Sequence, residues 1–436
     1  MPQHHRGVTH GSPVGKRRVL DFTILSRDTK QVLKRRRLRR SAVVTLLFAP
    51  PQVPRRMNLH RDWQEHVDWT PSRWFRRTYR VSKEEFKELF EILEPRLRLK
   101  HATKYSLSPE NRLALTLRFL AKGSYLDLWV IYNICPHSVY PIVWSVVEAI
   151  IETFEFEFPI DNPEKLDAIG AGFAQRSKGK WKTCVGALDG ISIRIQPPSP
   201  SECGNPKQYY CRKGFYSVNM QAICDSNYIF RYASISTAGS THDATAFATT
   251  PLCQQLEAGV MARGYWIAAD DAYKMTTHII TPYTADQLRR GGEAEDAFNY
   301  YQSSTRIHIE QAFGMLVQSW RILHHPLQVG MKRIPQVVRA ALCLHNFTRQ
   351  SRMSHGVPEN IPAVPSVPDC GLYYSTPVSG DMECCVPLLS SQFPTAWWPQ
   401  PTRTASQLRE DAVNMRNMLR DIIADAGLTR VRPHNR

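Results

Sequence analysis

Much of what would give a quick functional assignment is missing from this chain. It has no HExxH, no GxSxG and no phosphate-cradling glycine loop, so neither a zinc-protease, an α/β-hydrolase nor a P-loop mechanism is indicated. Its 10 cysteines include no CxxC pair, and Cys384 and Cys385 are simply adjacent in a proline-rich stretch. That usage predicts free thiols in a reducing compartment and no structural zinc. The apolar run Ala42–Ala49 falls far short of the roughly 20 residues that span a bilayer. It also sits too far along the chain for a secretory signal, so no membrane association is expected. Negative charge is scarce: 39 acidic residues face 56 Lys and Arg in 436 residues, for a formal net charge of +17. Apolar content of 42% and charged content of 22% are nevertheless ordinary for a globular protein with a sizeable core.

The excess positive charge is concentrated at the start. Residues 1–60 hold 14 Lys and Arg against two Asp, with runs at Lys16-Arg17-Arg18 and from Lys34, Arg35, Arg36 and Arg37 on to Arg40. Such runs suit nucleic-acid contact or nuclear import, and the segment is expected to be a basic disordered tail. An Arg-rich, acid-poor leader is also what a mitochondrial transit peptide looks like.

Residues 61–165 read as a helical domain. Trp63–Arg80 is aromatic and basic. Ser82 and Glu85 have capping-box spacing, and Phe86, Leu89, Phe90 and Leu93 recur on one face of a helix that Pro95 should close. A second helix is expected from Pro109 to about Lys122. Tyr125–Asn133, the break Ile134-Cys135-Pro136 and Ser138–Phe154 then make helix, tight turn, helix. That is a helix-turn-helix-like layout, although the second helix carries no Arg or Lys with which to read bases.

Residues 166–350 change character. Cys184–Ile195, CVGALDGISIRI, is β-branched and apolar and ends before Pro197-Pro198. In a strand, alternate residues share a face, so Asp189 falls with Val185, Ala187, Ile191 and Ile193. A carboxylate there needs a compensating charge, either a divalent metal shared with other acids or a buried Arg. Two further strands are expected at Tyr216–Cys224 and Tyr228–Ala238, followed by a helix over Ala244–Leu256 and a short strand at Tyr265–Ala269 ending in Asp270-Asp271. A helix from about Thr305 to Trp320 carries Glu310, with Arg306 one turn earlier as its alternative partner. Three consecutive strands, a crossover and a fourth strand is the ribonuclease-H-like order, an α/β mixed sheet with flanking helices. It places the first and fourth strands side by side, so that Asp189 meets Asp270 and Glu310 enters from a helix.

These motifs together resemble the catalytic domain of the PIF/Harbinger transposases and the nucleases derived from them, the Tnp4-type DDE superfamily endonucleases. The pieces that carry the resemblance are LDG with Asp189, YYCRKGFYSVNMQAICD over Tyr209–Asp225, GSTHD with Asp243, ADDAY with Asp270, STRIHIEQAFG with Glu310, and LCLHN with His345. Upstream, LALTLRFLAKGSYLDLW resembles the family's helical region. The chain departs from the family pattern where Asp271-Ala272 replaces Ser-Gly, where Ile191 replaces a hydroxyl residue, and where Gln311 replaces an Arg.

The resemblance implies a metal-dependent DNA endonuclease acting in the nucleus, with Asp189, Asp270 and Glu310 catalytic and Asp243 a further metal ligand. It also implies Mg²⁺ or Mn²⁺ as cofactor and a separate Myb-like DNA-binding partner. An alternative is a domesticated, inactive relative that binds DNA or protein. Two-metal phosphodiester cleavage or strand transfer needs oxygen ligands and no covalent nucleophile, which suits the acids present. Arg212 and Lys213, beside Gly214, are candidates to hold DNA phosphates. At 351–402 the chain reads as a Pro/Ser-rich linker, and within 403–436 the residues Leu408, Ala412, Met415 and Leu419 mark one amphipathic helix over Ala405–Ala426.

Overall fold

A computed structural model describes residues 62–101, 106–156, 158–262, 264–356 and 404–430. The basic 1–60 segment, with Lys34, Arg35, Arg36 and Arg37, and most of the Pro/Ser-rich stretch lie outside the described residues.

The chain opens with helices α1 (Trp63–Trp69), α2 (Ser72–Tyr79), α3 (Lys83–Leu97), α4 (Pro109–Leu120), α5 (Tyr125–Ile131), α6 (Pro136–Thr153) and α7 (Pro163–Ala174). The Ser82/Glu85 capping box forms as its spacing predicts, but Pro95 does not close α3. It is accommodated two residues before the helix ends at Leu97. Helices α5 and α6 meet at 100°. The apolar face of α6, with Val139, Val143, Val146 and Val147, is buried. Its scarcity of charge thus reflects a core position. Among the described residues no single helix is long and apolar enough to cross a membrane.

Five strands follow: β1 (Cys184–Arg194), β2 (Ser217–Cys224), β3 (Phe230–Ala238), β4 (Trp266–Ala268) and β5 (Ile279–Ile280), in the sheet order β3-β2-β1-β4-β5. β1 to β3 are antiparallel neighbours, and β4 joins β1 in parallel. This is the ribonuclease-H-like order. Between β1 and β2 lies the short helix α8 (Pro200–Cys203). The crossover from β3 to β4 holds two helices, α9 (Asp243–Ala248) and α10 (Pro251–Glu257), where one was expected. Thr250 caps a new helix at Pro251, whose ring removes the backbone donor that a continuous helix would need.

After β5 come α11 (Ala285–Arg290), α12 (Glu293–Ser319), α13 (Ile334–Ser354) and α14 (Ala405–Asp425). α12 starts a dozen residues before the expected Thr305, and α13 continues into the segment expected to be linker. One buried apolar cluster runs from Phe75 through Leu188, Trp266 and Phe313 to Ile423, joining the N-terminal helices, the sheet and α14. α14 docks on this body. Trp181 Nε1 donates to the Leu419 carbonyl at 3.1 Å, and Arg420 pairs with Glu295 in the first turn of α12 at 2.7 Å. The seven described cysteines are all free.

Candidate active site

The first half of β1 is buried on both faces, and burial loosens from Asp189 onward. The carboxylate therefore stands where the strand emerges from the core. β1 and β4 pair through Ala187 and Ala268; Asp189 lies two residues further within β1, and Asp270 two residues further, just past the end of β4. The two acids are near enough for the charge of Asp270 to act on the Asp189 carboxyl. Asp271 is exposed.

Glu310 comes from the middle of α12 and is buried. Arg306 lies one turn earlier and binds two of the acids with the same atom. Its Nη1 is 2.5 Å from Glu310 Oε1 and 3.6 Å from Asp189 Oδ2. Side-chain exposure is low throughout, at 22% for Arg306, 13% for Asp189 and 8% for Glu310. Both sequence-level partners of these acids, Arg or metal, are thus narrowed by a guanidinium that is physically present.

Burial pushes the Asp189 carboxyl up to about 7, with the charges of Asp270 and Glu310 adding to the rise and Arg306 and the Gly190 N–H opposing it. Gly190 N–H donates to Asp189 Oδ1 at 2.7 Å. Asp270 is raised as well, first by burial and then by Asp271 and Asp243, against the pull of Arg306 and the Ala272 N–H. For Arg306, burial works against the charged form, but Glu310, Asp189 and Asp270 outweigh it and hold the pKa above its ordinary value.

Asp243 sits elsewhere in the site. It is the first residue of α9, with His242 as the cap. Its Oδ1 accepts from Asn219 Nδ2 at 2.8 Å and Gln221 Nε2 at 2.9 Å. A Cβ on Gly190 would lie 2.3 Å from that same oxygen, so glycine is what lets α9 approach β1. Gly190 and Asp189 face opposite sides of the strand. Asp243 therefore reaches the acids from the other face of the sheet. Gln221 also accepts from the Tyr273 hydroxyl at 2.6 Å. Burial, and then the charges of Asp189, Asp243 and Asp270, keep that phenol far above its usual pKa, hence neutral. Sequence reasoning passed over Asn219 and Gln221. The available signal was two amides alternating along an otherwise apolar strand.

His345 is structural. It is fully buried, bonds the Tyr228 carbonyl at 2.8 Å, and burial lowers its pKa to about 4. Next to it, Asn346 both accepts from Phe230 N–H and donates to Phe230 C=O, capping the open edge of β3 as another strand would. Arg212 and Lys213 are exposed in the loop before β2.

The donor set was tested against a divalent cation. Asp189 and Glu310 pair with one guanidinium and Asp270 lies within reach of its charge, so full ionisation leaves two negative charges uncompensated, and oxygen is the donor a hard cation takes. In chemistry and charge the residues fit. As placed, no three His, Cys, Asp or Glu side chains among the described residues lie close enough to hold one ion.

Residues 188–346 match the family model of the DDE superfamily endonuclease. Comparison with curated proteins and with solved structures finds no match. The matched segment begins one residue before Asp189, ends at Asn346, and contains Asp243, Asp270, Arg306 and Glu310.

Proposed function

We propose, from a DDE endonuclease match that encloses this acid cluster, that the chain is a divalent-metal-dependent DNA endonuclease of transposase origin, of the PIF/Harbinger type. The observation that carries the proposal is that Arg306 pairs with both Asp189 and Glu310 while Asp270 adds its charge to theirs, with two negative charges left over. Asp189, Asp270 and Glu310 would hold the metal. A bound pair of Mg²⁺ or Mn²⁺ ions supplies activation of water or a 3′-hydroxyl and stabilisation of the leaving oxygen. The chain's own residues position the rest. Gly190 N–H orients Asp189, the Ala272 N–H orients Asp270 at 3.0 Å, and the amides of Asn219 and Gln221 fix Asp243. The basic 1–60 segment supports nuclear import and DNA contact, and the family resemblance supports a separate Myb-like DNA-binding partner.

One observation favours a second reading, an inactive relative retained for binding. Arg306 already pairs with both Asp189 and Glu310, and a buried acid with such a partner has less need of a metal. Nicking of supercoiled plasmid separates the two. Cleavage with Mg²⁺ or Mn²⁺ that stops with chelator is expected, and inertness of the intact chain in both metals would leave the binding reading.

A further inference from the structure

We propose that the C-terminal ends of α2, α4 and α12 form a second binding surface, one for the phosphate backbone of double-stranded DNA, centred on Arg80, Arg118, Lys122 and Arg321. It rests on the reading of DNA as substrate and extends that reading to residues outside the acid cluster.

Arg80 caps the end of α2, Arg118 and Lys122 lie in and just after the last turn of α4, and Arg321 opens the short 3₁₀ turn that follows α12. Arg80 is held below its ordinary pKa by burial and then by the charges of Arg321, Arg118 and Arg77. The exposed His325 is held down by what desolvation it has and then by Lys122, His324, Arg321 and Arg194. α2 packs on α4, and α4 packs on the 3₁₀ turn that follows α12, so the three helix ends form one positively charged neighbourhood. Among the described residues, Arg77, Arg80, Arg118, Lys122 and Arg321 form no ion pair. Arg80 Nε is buried and has no hydrogen-bond acceptor.

Compensation of helix dipoles does not account for the cluster. Each helix end presents about half a negative charge, so three ends supply roughly −1.5. Arg77, Arg80, Arg118, Lys122 and Arg321 already exceed that several-fold. Backbone conformation points the same way. Arg80 and Lys122 have φ of 66° and 78°, the left-handed region where glycine is usual and a side chain is disfavoured. α2 extends the surface. Its buried side is Phe75 and Tyr79, it contains no acid, and Trp74 lies between Arg73 and Arg77, 5.1 and 4.9 Å from their guanidinium carbons.

Four of those five cations are arginines, whose planar forks match phosphate oxygens in pairs. Glu310 lies nine residues, about 14 Å of helical rise, before the end of α12 at Ser319, and Arg321 follows two residues later, so the cluster and the acids are carried by one rigid element.

The test compares binding of a 30-base-pair duplex in EDTA across a salt series, using the full chain, Lys122→Gln/Arg321→Gln, and Arg289→Gln/Arg290→Gln as a control of equal charge loss. All four side chains are exposed, so folding should be spared, and a thermal melt checks it. The first pair is expected to weaken binding and to lower the slope of log K against log salt by about 2, near 0.9 for each phosphate contact. The control pair should change neither. Equal effects from the two pairs, no effect from either, or loss of binding to an acidic polypeptide in place of DNA would overturn the surface. Plasmid nicking is measured in parallel. A parent that nicks while the Lys122/Arg321 variant binds normally sinks only the surface; one that binds through it without nicking in metal sinks only the catalytic reading; one that does not bind duplex sinks both.

Discussion

Asp189 lies within β1 two residues past Ala187, and Asp270 lies two residues past the paired Ala268, just beyond the end of β4. The charge of Asp270 adds to the burial that raises the Asp189 carboxyl. Asp271 is exposed. The family resemblance implies Asp270, and not Asp271, as the catalytic acid.

Single replacements of the acids test the chemistry. Asp189→Asn, Asp270→Asn and Glu310→Gln should each reduce metal-dependent plasmid nicking to background, while Asp271→Asn should leave it within a few-fold of the parent. Initial nicking rates under Mg²⁺ and Mn²⁺ measure this. Parent-like rates from any of the first three would remove that residue from the reaction.

Arg306 should have opposite effects on stability and metal affinity. Arg306→Gln leaves Asp189 and Glu310 without their cation, and breaking a buried pair costs roughly 3–5 kcal/mol. Urea denaturation in EDTA should show the loss. With the guanidinium gone, Mn²⁺ should bind more tightly and raise the melting temperature of the variant by more than that of the parent. Equal Mn²⁺ shifts would mean that Arg306 and the ion do not compete.

Stability should fall as pH rises. The Asp189 carboxyl titrates near 7 in the fold against an ordinary 3.8. Between those values the folded state binds the extra proton, so this contribution is fully present below about pH 4 and is lost as pH climbs through 7. The loss is up to roughly 4 kcal/mol. Asp189→Asn cannot titrate, so its stability relative to the parent should improve over that interval. Parallel unfolding curves at pH 4 and pH 7.5 would refute the raised carboxyl.

The C-terminal helix should contribute to the stability of the whole body. Leu419 is buried, and its carbonyl accepts from Trp181. Leu419→Ala is expected to destabilise by roughly 2–5 kcal/mol. A midpoint unchanged in urea would mean that the helix is dispensable.

Deleting residues 1–60 should flatten the salt dependence of DNA binding and abolish nuclear accumulation, since 14 of the 56 Lys and Arg lie there against two acids. A mitochondrial signal from the intact, tagged chain would instead favour a transit peptide.

The sheet was legible in the sequence because β1 to β3 are β-branched runs separated by turn residues, and strand parity alone put Asp189 on an apolar face. The first half of α12 was not. Residues 293–304 are mostly polar, but Ala294, Ala297, Phe298 and Tyr301 recur at helical spacing, and Glu293, Glu295 and Asp296 cluster where the dipole of a helix start favours negative charge. The setting of Asp243 was hidden because its partners, Asn219 and Gln221, lie on a strand more than 20 residues upstream and are invisible to local pattern. The choice between arginine and metal for Asp189 stayed open for the same reason. Its guanidinium arrives from 117 residues away, and only the packing of α12 on the sheet brings it in.

The bond from Trp181 to Leu419 joins residues 238 positions apart. At about 5–20 residues per second, a ribosome needs roughly 10–50 s to make the intervening chain. For that interval the indole beneath β1 and the opening turn of α12 stand uncovered on the nascent protein. The acids of the candidate site are thus made well before the brace that closes the core beside them, and a chain stalled or cut short before α14 would hold Asp189, Asp243, Asp270 and Glu310 and still lack the contacts of Leu419 and Arg420.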